Sequence, residues 1–161
     1  MERTSQVYMG VPNGVVLCID AAESEHKLQA RLYHGYRSDA VDITAPEQIL
    51  PEMERLFDSL RFPFKTTNYR SFSGGRTEQA AETGVRPGRE FAEAAERRVL
   101  SDDELLDLEG ELATFIIRVQ QRQNSDWQGR ITWAEHNRTL GFRTITELLK
   151  LISNAVNDLI E

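Results

Sequence analysis

Four arginines in the C-terminal third, Arg118, Arg122, Arg130 and Arg143, are spaced to share one side of a sheet. Each guanidinium presents a planar fork of donors that fits a phosphate or carboxylate, so four on one face would make an anion site. Gln128 and Thr132 alternate with Arg130, and Gln120 follows Arg118, so the same face carries polar side chains and no acid. Two more bases belong in the candidate set. Arg31 aligns with Arg130, and Arg70 follows Tyr69 in the aromatic and basic run F62-P-F-K-T-T-N-Y-R-S-F72. Rings beside cations are the ingredients of single-strand binding, where bases stack and phosphates are neutralised.

Catalytic patterns are missing. The chain has no phosphate-binding glycine loop, nucleophile elbow, or His and Cys spacing suited to a metal, so no cofactor and no metal site is expected. His34 aligns with the inward-facing Trp133 and reads as a core histidine, and the single Cys18 lies in an apolar strand as a small buried hydrophobe. Both tryptophans, Trp127 and Trp133, share a strand face with Ile131 and read as core.

The positioning elements follow from periodicity and turn chemistry. Shifting the chain by 99 residues lays L28-Q-A-R-L-Y-H-G-Y36 over W127-Q-G-R-I-T-W-A-E135, with Leu32 meeting Ile131, Val41 meeting Leu140 and Ile43 meeting Phe142. Residues 15–21 and 28–36 read as paired strands, as do residues 115–120 and 127–133. Thr44 with Glu47, and Thr144 with Glu147, have the spacing of capping boxes that start amphipathic helices over residues 44–60 and 144–159. Pro51 conflicts with the first helix and predicts a kink or a later start. Ser101 and Glu104 offer a third capping box, for a short acidic helix that Gly110 would end.

These elements predict an α+β fold of duplicated β-β-β-α units, antiparallel sheets each packed by a C-terminal helix. Residues 1–72 would form the first unit, 73–100 an acidic flexible linker, and 101–161 a short helix plus the second unit. The chain carries 26 acidic and 19 basic residues, a net charge of −7. Residues 78–111 alone hold eleven acids against four bases, so the rest is balanced at fifteen of each. One half would bury little by itself, so the halves should pack together, as a pseudo-dimer in one chain or as a homodimer. No apolar run is long enough to span a membrane, and the first residues, M-E-R-T-S-Q, lack a signal-peptide layout. A cytoplasmic protein is expected.

The run F115-I-I-R-V-Q-Q-R-Q-N-S-D-W-Q-G-R-I-T-W133, with F142-R-T-I-T-E-L-L-K-L-I152, resembles a family of small uncharacterised bacterial proteins sharing the R-Q-N, W-Q-G and F-R pattern. The segments R31-L-Y-H-G-Y36, M53-E-R-L-F-D58 and Y69-R-S-F72 are similar to its N-terminal part. That resemblance implies a shared fold and no activity. In layout alone, the twice-used strands and helix are similar to the positive-cofactor and Whirly-like single-stranded DNA binders. The functional expectation is a non-catalytic binding or adaptor protein using the arginine face. The alternatives are a single-stranded nucleic-acid binder and an enzyme of unknown mechanism.

Overall fold

The structure, a computed structural model, describes residues 13–61, 65–70, 76–80, 98–123 and 125–160, with 65–70 and 76–80 described by their backbone. Its elements are β1 (Val15–Ser24), β2 (Lys27–His34), β3 (Val41–Ile43), α1 (Ile49–Leu60), β4 (Lys65–Arg70), β5 (Arg76–Ala80), α2 (Asp102–Leu106), β6 (Ala113–Gln123), β7 (Asp126–Trp133), β8 (Arg138–Phe142) and α3 (Ile145–Ile160). The class is α+β.

Strands β3, β2, β1, β6, β7 and β8 pair in that spatial order, every neighbour antiparallel. Strand β4 runs parallel to the C-terminal end of β6 and carries β5 on its far side. Strand β5 lies inside the stretch that the sequence marks as a linker without core pattern. Backbone pairing needs no apolar side chains, and R76-T-E-Q-A80 has none larger than alanine.

The order strand, strand, strand, helix occurs twice, and the registers agree. In the first half Ala30, Arg31 and Leu32 face Ile43, Asp42 and Val41. In the second half Gly129, Arg130 and Ile131 face Phe142, Gly141 and Leu140, the same pairs displaced by 99 residues. Strand β1 carries a bulge between Ile19 and Ala21, and β6 carries one between Val119 and Gln121, displaced by 100. Where β1 meets β6, Val15 faces Ile117, Val16 faces Ile116 and Leu17 faces Phe115, a reciprocal exchange centred on Val16 and Ile116. Strands β1 and β6 thus pair along five residues each.

One sheet face is covered by α1 and α3. Val15, Leu17, Ile19, Leu32, Phe115, Ile117, Val119 and Trp127 are sealed there against Ile49, Met53, Phe57, Leu148, Ile152 and Val156. Each helix also reaches the other half's hairpin. Phe57 of α1 meets the Trp127 ring edge-on at 5.4 Å, and the Asn157 amide of α3 donates to Glu25 between β1 and β2. Alternation then sends Val16, Cys18 and Ile116 to the opposite face, where Leu105 of α2 packs on them together with Ala134.

Some helix boundaries depart from the sequence reading and others follow it. Residues Pro46–Gln48 form a 3-10 turn and α1 begins at Ile49, so Pro51 sits in the first turn, where its missing N–H removes no α-helical bond. Thr44 pairs reciprocally with Gln48, not Glu47, at 2.8 Å in both directions. The Ser101 and Glu104 capping box forms as expected. Helix α2 ends at Leu106, well before Gly110. Gly110 has another role: a β-carbon there would lie 2.6 Å from the Ile19 backbone, so only glycine lets the chain pass β1 this closely.

Candidate functional site

The face opposite α1 and α3 is where the arginines were expected. Helix α2 divides it, because its apolar contacts occupy the centre over Val16, Cys18 and Ile116. On either side lie two polar patches at equivalent positions of the two halves, and they differ in charge.

In the first patch Arg31 of β2 faces Cys18 of β1. The bulge residue Asp20 turns its carboxylate onto this guanidinium in a two-point contact, 2.8 Å to Nε and 3.0 Å to Nη2. Nη1 donates to the Tyr33 hydroxyl at 2.7 Å, and Nη2 also reaches the Glu109 carbonyl. The hydrogen bond to Asp20 raises the Arg31 pKa, against the opposing effect of burial. Asp20 also accepts from the Glu111 N–H, so this patch fastens the chain that leaves α2 to the sheet. Arg31 is thus engaged within the fold.

In the second patch Arg130 of β7 stands where Arg31 stands in β2, but directly opposite Arg118 of β6. The bulge residue is Gln120, an amide in place of the carboxylate of Asp20. Arg130 is exposed and Arg118 half-buried, with Nη2 of Arg118 3.4 Å from the Thr132 hydroxyl. That hydroxyl shares a 2.8 Å hydrogen bond with Thr139 of β8. Gln128 donates to the Arg143 carbonyl at 3.2 Å, which places the exposed Arg143 beside β7. The side-chain oxygen of Gln128 is buried and accepts no hydrogen bond. The register thus sets two arginines side by side on this patch.

Gly129 makes this geometry possible. A β-carbon at that position would lie 2.1 Å from the Arg118 carbonyl oxygen, beside the bulge in β6. The W-Q-G run is therefore a close-approach signature. Its glycine sets how Arg118 and Arg130 meet.

Arg122 does not belong to this face. The bulge at Gln120 adds one residue to β6 and inverts the alternation, so Arg122 faces Trp127 on the helix side and is 5% exposed. Its Nη1 donates to Glu54 at 3.0 Å and to Asp58 at 2.8 Å, both on α1, and its guanidinium lies 5.5 Å from the Phe57 ring centre. Glu54 also accepts from the Trp127 indole N–H. This cluster ties α1 of the first half to the hairpin of the second. The sequence signal for it is the run Q120-Q121-R122, where two polar residues in succession break the period of two.

Tyr69 and Arg70 lie in β4, opposite Thr77 and Arg76 of β5, and their side chains fall outside the described residues. Trp127 is fully buried, as expected of a core ring. Trp133 is half-buried, held between Phe115 at 5.7 Å and His136 at 4.2 Å. Cys18 is buried. His34 accepts from the Tyr36 N–H, and burial, reinforced by Arg37, lowers its pKa. Among the described residues no three His, Cys, Asp or Glu side chains gather as metal ligands, and no helix is long and apolar enough to cross a membrane.

Comparison with protein-family models, characterised proteins and solved structures returned no match.

Proposed function

We propose that the protein is a non-catalytic binding or adaptor protein, and that the β6, β7 and β8 side of the polar face takes an anionic partner. The observation that carries this reading is the cross-strand pair of Arg118 and Arg130, set where the other half pairs Cys18 with Arg31. A phosphate or carboxylate that met both guanidiniums would gain charge-assisted hydrogen bonds. Arg143, exposed beside β7, extends the basic patch. The same architecture supports reading the chain as an internal duplication packed as a pseudo-dimer, in which one half kept a carboxylate at the bulge and the other an amide.

Single-stranded nucleic acid is the first partner to test. The patch groups cations, as the backbone contacts of single-strand binders do. Arg130→Glu should weaken binding of a labelled single-stranded oligonucleotide at least about tenfold, with the melting temperature unchanged. Arg55→Glu makes the same change in net charge on α1, across the sheet, and should leave affinity within about twofold. Equal losses in both variants, or binding by neither variant nor parent, would overturn the assignment.

A further inference from the structure

Strand β8 has β7 on one side and, among the described residues, no strand on the other. Four of its five residues, Arg138 to Gly141, are exposed, and it contains neither proline nor a bulge. Such an edge offers a row of backbone donors and acceptors to an added strand. Behind it, between β8 and α3, lies a cleft of about 190 Å³ lined mainly by Phe115, Ile131, Trp133, Leu140, Leu151 and Ala155. Leu140 is 46% exposed at its mouth. An apolar cavity of about 150 Å³ holds a benzene ring, so this cleft fits one large apolar side chain. The Trp133 indole N–H is buried there without a hydrogen-bond acceptor.

We propose that the β8 edge and this cleft form a second binding surface, which takes an extended acidic peptide with one large apolar residue at its centre. The backbone of the peptide adds to β8 and its apolar side chain fills the cleft. Charge selects the occupant. Arg138 opens β8 and Arg143 follows its last residue, both exposed, so cations bracket the strand. A second copy pairing edge to edge would bring these arginines together, whereas flanking carboxylates on a peptide complement them. Asp158 on the helix side of the cleft keeps the acids on the β8 side and leaves the cleft to a neutral group. The first half has no such surface, since β3 spans three residues and the positions matching Trp133 and Leu151 are His34 and Glu52.

The test is selection of displayed random linear peptides on the full chain, followed by polarisation measurements on the peptides recovered. The expected consensus is a leucine or aromatic residue with carboxylates on both sides. Leu140→Asp and Arg138→Glu should each weaken its binding at least about tenfold without lowering the melting temperature, because both side chains are exposed. Arg130→Glu should leave it within about twofold, which distinguishes this surface from the Arg118 and Arg130 pair, although both draw on Arg143. No enrichment, a basic consensus, binding indifferent to Leu140→Asp, or self-association that Leu140→Asp abolishes would overturn the proposal.

Discussion

Replacing Arg122 by alanine removes a cation that holds two carboxylates and a ring at a junction between the halves. The guanidinium makes contacts of 3.0 Å to Glu54 and 2.8 Å to Asp58. Hydrogen bonds to charged groups contribute about 1.5–3 kcal/mol each, and the contact with Phe57 about 1 kcal/mol more. The acids are 34% and 53% exposed, so water recovers part of their solvation when the cation leaves. A net loss of about 3 kcal/mol remains, which for a chain of this length lowers the melting temperature by about 6–12 °C. Arg130→Ala, at an exposed position, should change stability by less than about 0.5 kcal/mol. Denaturant titration of both variants reads the two values. Similar values for the two would refute the inverted alternation after Gln120 and return Arg122 to the polar face.

Gly129→Ala and Gly110→Ala each force a β-carbon into backbone, 2.1 Å from the Arg118 carbonyl and 2.3 Å from the Ala113 carbonyl. Each should cost about 2 kcal/mol or more, read by thermal melting. Asp20→Asn should loosen the chain around residues 109–111, seen as faster amide exchange at Glu111, whose N–H donates to Asp20. His34 has a pKa below its ordinary value of 6.5 in the fold, so the unfolded chain binds the proton first as pH falls. Its contribution is intact above pH 6.5 and is lost below, as pH falls toward the lowered value. Replacing His34 by glutamine should therefore flatten the fall of melting temperature on acidification through that window.

Elements set by local chemistry were legible in the sequence. The paired strands, the Ser101 capping box and the C-terminal helix follow from alternation, capping and the apolar stripe. Features set by a partner strand or helix were not. The bulge at Asp20 leaves little trace in residue types and that at Gln120 only a run of polar residues, yet one aims a carboxylate at Arg31 and the other turns Arg122 inward. Strand β5 depends on the edge that β4 presents rather than on its own apolar content. Of the candidate arginines, Arg118, Arg130 and Arg143 remain together on one side, Arg31 is bound to Asp20, and Arg122 sits beneath α1.

On the proposed reading, the Arg118 and Arg130 face binds a polyanion. Polarisation of a labelled single-stranded oligonucleotide, titrated with the full chain at about 50 and 200 mM salt, tests it most directly. Saturable binding that weakens at the higher salt, and that a duplex of the same sequence does not match, is the predicted result. Failure to bind at the lower salt, or affinity indifferent to salt, would contradict it.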